Sequence, residues 1–170
     1  MTRIKMVHHI NVQITDRQRT RAWYEKVLGA TFLDRGPALN QRMLQLNIGN
    51  AEMHFTETAH PTIAPQPHFA LEVEDWDAML AHLDALGIAY SRTGQGAFSR
   101  VGTGHEARWG KREDNGEHYT YIHDPDGNLI ELVHHPLGLV DGKGKAVDVP
   151  SYPHGVRWRQ LPEVEAPLRQ

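Results

Sequence analysis

Two stretches of the chain can be laid over each other: HINVQITDRQRTRAWYEKVLG, residues 9–29, and HFALEVEDWDAMLAHLDALG, residues 68–87. Each opens on a histidine, alternates apolar and polar residues, and reaches an aspartate seven residues on, Asp16 and Asp75. Strict alternation marks a strand with one buried face. An aspartate at its end suits a helix N-cap. Both stretches then run helically to a glycine, Gly29 and Gly87, the residue on which helices commonly stop. Met79, Leu80, Leu83 and Leu86 keep helical spacing, and Ala22, Trp23, Val27 and Leu28 form a looser version.

After each helix come strand-like segments, at 31–35, 41–48 and 51–57 in the first half and at 89–92, 97–101, 118–123 and 128–134 in the second. The DPDG stretch, Asp124 to Gly127, is a strong turn signal between the last two. The expected fold class is therefore α+β. Two βαβββ modules form a curved mixed sheet, a cup, with the helices on its outer face. The modules span 1–58 and 68–135, a proline-rich linker spans 59–67, and 136–170 is expected to be an extended tail packed on the body. The glycine-rich, charged stretch from Gly94 to Glu117 is long for a loop, which favours a lid or disorder.

Composition narrows the function classes. At 170 residues the chain is one domain or two halves sharing a core. It has no cysteine, which excludes disulfides, zinc–thiolate sites and thiol catalysis. A net charge of −3 and the lack of a long basic run point away from nucleic acid. The N-terminus lacks the apolar segment of a signal peptide, and no apolar run is long enough to span a membrane. A cytoplasmic protein is the expectation. Twelve histidines are the unusual count, and histidine is the commonest metal ligand.

Parity on the strands sorts these histidines. Neighbouring strand residues face opposite ways. His8 falls in with Ile10, Val12 and Ile14, whereas His9 shares a face with Asn11 and Gln13. Met53 and Phe55 oppose Glu52, His54 and Thr56, and Phe69, Leu71 and Val73 oppose His68, Ala70 and Glu72. A sheet can simply keep one wet face, but these polar faces carry no lysine or arginine. Glu131 sits within the apolar run NLIELV, where a carboxylate is costly unless paired or metal-bound. His9 and His68 open the first strand of each half, and His54 and Glu131 sit on the last. A cup built from the two halves brings all four to one centre. Two histidines and a carboxylate with open positions make a metal site for oxygen or Lewis-acid chemistry, with His54 as a fourth ligand.

The doubled layout, with HHINVQITD, AWYEKVLGATFL, PHFALEVED and YIHDPDGNLIELV, resembles the vicinal oxygen chelate superfamily over about residues 5–135. That superfamily includes glyoxalase I, fosfomycin- and bleomycin-resistance proteins and extradiol dioxygenases. The resemblance implies metal ligation by His9, His68 and Glu131. His54 stands where glyoxalase I has a glutamate, a change of charge and donor. Tyr121, ten residues before Glu131, matches the active-site tyrosine of extradiol dioxygenases. The positions where their signature has a histidine are Asp114 and Arg112 here. The expected cofactor is one divalent metal ion, Fe(II), Mn, Ni, Co or Zn.

Further candidates surround this centre. Tyr121 and Glu72 are the catalytic candidates. Asn11, Tyr119, Arg100 and His118 are the substrate-binding candidates. Arg100, His105, Arg108, Lys111 and Arg112 form either a lid over an anionic substrate or a solvated loop. Counting a two-residue hairpin across DPDG pairs Tyr121 with Ile130, and a longer loop pairs it with Glu131. Three functions compete: an extradiol-type dioxygenase, which is the best reading, a glyoxalase-like lyase or isomerase, and a non-catalytic antibiotic binder. Full ligation argues against the third. The partner is a small molecule that chelates the metal through vicinal oxygens. A homodimer is the expected state, with the site built within one chain or across two.

Overall fold

The computed structural model describes residues 7–64, 66–95, 98–100, 108–141 and 143–148. The first module holds β1 (His9–Ile14), α1 (Arg17–Leu28), β2 (Thr31–Phe32), a short α2 (Pro37–Asn40), β3 (Leu44–Ile48) and β4 (Ala51–Glu57). The second holds β5 (His68–Glu72), α3 (Trp76–Ala85), β6 (Gly110–Lys111), β7 (His118–His123) and β8 (Leu129–His134). Two short strands, β9 (Leu139–Val140) and β10 (Ala146–Val147), pair as a hairpin in the expected tail. The tail beyond residue 148 lies outside the described residues.

Each module folds into its own four-stranded mixed sheet, in the orders β1-β4-β3-β2 and β5-β8-β7-β6. The first strand of each module runs parallel to its last, and the other pairings are antiparallel. The α+β reading thus holds, in an open form with two sheets. Both helices start as the sequence suggests: Asp16 Oδ1 accepts from the Arg19 N–H at 2.9 Å, and Asp75 Oδ1 from that of Ala78 at 3.0 Å. The core lies on the helix side of both sheets, where Tyr24 packs edge-on against Phe55 and one cluster joins Ile14, Leu46 and Met53 to Leu83, Ile122 and Leu132.

The second module departs from expectation between its helix and β7. Among the described residues, the strands expected at 89–92 and 97–101 give isolated bridges, Tyr90 with Ser99 and Ser91 with Tyr121, and residues 97 and 101 lie outside the described residues. Residues 91–95, SRTGQ, have no apolar alternation with which to hold a strand against the core. The stretch read as a loop instead contains β6, which edges the sheet beside β7.

One buried carboxylate sets the last hairpin. Asp124 Oδ1 accepts from the N–H groups of Asp126 and Asn128, both at 2.9 Å, and Oδ2 from Asn128 Nδ2 at 2.8 Å. Gly127, at φ 91°, lets the chain return. The turn therefore occupies 124–128, and β7 pairs with β8 from His123 opposite Leu129. This longer turn puts Tyr121 opposite Glu131 and not Ile130.

The same turn joins the modules. Tyr24 of α1 donates to Asp124 Oδ2 at 3.1 Å. Asp126 Oδ1 accepts from the Thr15 N–H at 3.0 Å, the Thr15 hydroxyl at 2.5 Å and Arg19 Nη2 at 2.7 Å. Burial alone would raise the Asp126 carboxyl, but these donors outweigh it and hold it below the usual aspartate range.

Candidate metal centre

The open faces of the two sheets carry the candidate ligands in two groups. On the first, His9 and His54 stack with ring centroids 4.0 Å apart and planes 15° from parallel. β1 and β4 are in register with His9 opposite Glu52 and Asn11 opposite His54. Glu52, fully buried, meets His54 Nε2 through Oε2 at 3.0 Å. His8, assigned by parity to the face of Ile10, Val12 and Ile14, approaches His9 Nδ1 with its own Nδ1 at 2.9 Å. That contact leaves His9 Nε2 facing away. Burial lowers the His9 pKa, the neighbouring His54 and His8 lower it further, and Glu52 opposes them. Neutral imidazole, the ligating form, is thereby favoured.

On the second sheet, His68 Nδ1 lies 2.9 Å from the carbonyl of Gln66. A carbonyl only accepts, so Nδ1 carries the proton and a neutral ring has its lone pair on Nε2. That atom faces Glu131 Oε2 at 3.1 Å. Two lone-pair donors so close, in a carboxyl only 7% exposed, need a cation between them or a proton on the ring. This donor set fits a divalent metal. The other oxygen, Glu131 Oε1, accepts from the Tyr121 hydroxyl at 2.9 Å. Burial first, and then this bond, push the Tyr121 phenol to about 12, so it remains a proton donor at neutral pH. His68 and Tyr121 also line an open cavity of about 360 Å³, together with Thr93, Gly94, Gln95 and Leu129.

The chain does not gather the two groups. Gln13 and Thr15, at the C-terminal end of β1, meet the turn that precedes β8: the Gln13 carbonyl accepts from Asn128 Nδ2 at 3.1 Å. His9 lies four residues up the same strand, about 13 Å away at roughly 3.3 Å per residue. Among the described residues no three histidine or carboxylate side chains converge as a metal site.

The remaining candidates distribute as follows. Asn11 lies on the first open face and accepts from the Thr56 hydroxyl at 3.2 Å. Tyr119 lies on the second, beside Tyr121. His118 has the opposite parity and enters an aromatic cluster with Trp76 and Trp109 on the helix side, away from Glu131. Burial lowers its pKa, with Lys111 and His134 adding to the effect. Glu72 turns to His135: Oε2 meets His135 Nδ1 at 2.7 Å and Oε1 accepts the His135 N–H at 2.8 Å. Arg100 is exposed and follows the Tyr90–Ser99 bridge. Arg108 is tied to Asp84 of α3 at 2.5 Å, and His105 lies outside the described residues. Four groups on the open faces went unrecognised in the sequence, namely Glu52, Glu117, His135 and the placement of Arg112. For Glu52 there was a signal, its shared parity with His54.

A family profile described as the glyoxalase/bleomycin resistance protein/dioxygenase superfamily matches residues 6–132. Solved structures are similar too. A Bacillus anthracis protein assigned to the glyoxalase family is 20% identical, with a TM-score of 0.63 over 79% of this chain and 98% of that one. A genomically encoded fosfomycin resistance protein from Listeria monocytogenes is 16% identical, at 0.58 over 79% and 97%. A lactoylglutathione lyase from Agrobacterium tumefaciens is 18% identical, at 0.56 over 79% and 97%. At these identities the likeness is one of fold. No curated protein matches the sequence significantly.

Proposed function

The chain belongs to the glyoxalase/bleomycin resistance protein/dioxygenase superfamily, and from that premise we propose a divalent-metal enzyme of the extradiol-dioxygenase type, acting on a small molecule that chelates the metal through two neighbouring oxygens. The observation that carries the reading is the facing pair His68 Nε2 and Glu131 Oε2, with Tyr121 hydrogen-bonded to the other Glu131 oxygen.

In this reading a second copy of the chain completes the site. His68 and Glu131 come from one protomer, and His9 with His54 from its partner. β1 and β5, the edge strands of the two sheets among the described residues, are the surfaces through which two copies meet. His9, His54, His68 and Glu131, three imidazoles and one carboxylate, would hold the ion. A divalent ion there supplies Lewis acidity and, as iron(II), a place for a diol and dioxygen to meet.

The protein's own groups do the rest. Tyr121 keeps its proton and uses it to hydrogen-bond Glu131 Oε1. The residue is thereby suited to hydrogen-bond a substrate oxygen rather than to remove a proton. Glu52 holds the His54 ring, and the Gln66 carbonyl holds that of His68, so two ligating rings are oriented before the ion arrives. A lyase moving a proton through a ligand carboxylate would want a free carboxylate where His54 stands, which is why the oxidative reading is preferred.

Two measurements test the proposal. Metal analysis of purified protein, followed by oxygen uptake with catechols after Fe(II) loading, should show about one ion per site and uptake that depends on catechol. Turnover of thiohemiacetals without oxygen uptake would favour the lyase. A metal-free protein whose ligand binding survives His9→Ala would point to a binder. For the shared site, inactive His9→Ala and Glu131→Gln chains are mixed and re-equilibrated. Cross-chain sites should restore about a quarter of wild-type metal-dependent activity, since half the dimers are mixed and each has one intact site. No recovery means that each site is built within one chain.

A further inference from the structure

Arg112 comes close to the second ligand group, its Nη2 lying 3.9 Å from Glu131 Oε1. Its N–H donates to the Glu117 carbonyl at 2.8 Å, which carries the β6–β7 ladder one residue further and puts both side chains on the open face with Tyr119 and Tyr121. Gly110 makes room for this. A Cβ there would lie 2.5 Å from Tyr119 Cζ, so the Tyr119 ring lies across the glycine. The Arg112 guanidinium then sits 5.0 Å from the centre of that ring, in cation–π range.

A chain of ion pairs holds the guanidinium from behind. Arg112 Nε donates to Glu117 Oε1 at 2.5 Å, and Glu117 Oε2 meets His135 Nε2 at 3.0 Å. His135 Nδ1 meets Glu72 Oε2 at 2.7 Å. The Glu72 bond first, and then the two carboxylates' charge, raise the His135 pKa against the opposing effect of burial, which favours imidazolium between them. Two carboxylates and two cations leave this chain neutral, with both Glu117 oxygens occupied. Among the described residues, neither Arg112 terminal nitrogen has a hydrogen bond, and Nη2 stops 3.9 Å from Glu131 Oε1, beyond hydrogen-bond reach. Glu131 Oε1 already accepts from Tyr121. The outer edge of the guanidinium is thus fixed in direction, half-exposed and next to a metal-ligand carboxylate.

A planar pair of N–H donors suits a carboxylate, which accepts both in parallel. We propose that Arg112 is the specificity-determining residue of the site and selects chelating substrates that carry a carboxylate on the same ring as their paired oxygens. Glu117, His135 and Glu72 act through Arg112 as positioning residues. This rests on the metal-chelate reading above, because the chelating oxygens are what bring a substrate beside Glu131.

The test uses cobalt(II)-loaded full-length protein and two probes of nearly equal chelating power, 3,4-dihydroxybenzoate and its neutral amide, 3,4-dihydroxybenzamide. Binding is read from the cobalt visible spectrum and by calorimetry. Wild type should prefer the benzoate by about 10- to 100-fold, the scale of hydrogen bonds to a charged group. Arg112→Gln should bring the ratio close to one, and Arg112→Lys, a point charge without the fork, should keep part of it. His135→Gln and Glu72→Gln should lower the ratio several-fold. Equal affinities in wild type, or a preference that survives Arg112→Gln in protein with a native circular dichroism spectrum, overturn the proposal. If neither probe perturbs the cobalt spectrum, the chelate reading itself fails, and the selectivity proposal falls with it.

Discussion

The two modules repeat one backbone plan and fill it with different chemistry. His54 and Glu131 are equivalent in register, each two residues along β4 or β8 from the residue opposite the first histidine of its module. The residue across the next strand is Gln45 in the first module and Tyr121 in the second. The first module thus offers two stacked imidazoles, with its carboxylate withdrawn to Glu52 behind His54. The second puts its carboxylate, Glu131, forward on the open face as the candidate ligand, with Tyr121, Tyr119 and Arg112 around it.

That contrast can be broken at the ligands first. Glu131→Gln removes the only negative ligand of the proposed site and leaves His68 Nε2 facing an amide. Metal affinity should fall more than 100-fold, since loss of a partner that merely orients a ligand costs about 10- to 100-fold. His54→Gln removes one neutral donor of four and should cost clearly less. Metal titration by calorimetry compares the two, and equal losses would erase the proposed asymmetry between the modules.

A smaller effect is expected where the modules are tied together. Asp126→Asn weakens the charge-assisted bonds from Thr15 and Arg19, and about 1–3 kcal/mol of stability should be lost at neutral pH. The pH dependence has a definite sign. The folded Asp126 carboxyl sits below its ordinary value. Its contribution is complete above the unfolded-state pKa of about 4 and is lost as pH falls through the folded value. The stability gap between wild type and variant should therefore stay constant from pH 7 to about 5 and narrow below about 4. Urea unfolding across that range measures it, and a gap that widens in acid would contradict the assignment.

The smallest effect should come from His8→Ala. The variant keeps every ligand and removes only the ring beside His9 Nδ1. Metal affinity should drop by no more than about 10-fold, the lower end for an orienting partner. An effect as large as that of His9→Ala would make His8 a ligand itself.

The legible parts of this protein are those written in short-range patterns. Alternation assigned faces to His9, His54 and His68, and the same rule separates His118 from Tyr119 and Tyr121, so its place among the tryptophans was available from parity. Asp16 and Asp75 marked both helix starts. The length of the last hairpin was less accessible. Tyr121 meets Glu131 because Asp124 gathers a five-residue turn, and Asp124 is itself held by Tyr24, 100 residues earlier. The place of Glu72 was equally hidden, since its partner His135 is 63 residues away.

By itself, then, the sequence determined the doubled βαβββ plan, the open face of each sheet and the four candidate ligands, because periodicity and capping act within a few residues. Only the tertiary structure decided that Tyr121 faces Glu131, that Arg112 is aimed at the same carboxylate, and that one chain holds the ligands as two separate pairs. The contacts that settle those outcomes include ones between side chains that no sequence period relates, such as Tyr24 with Asp124 and Glu117 with His135.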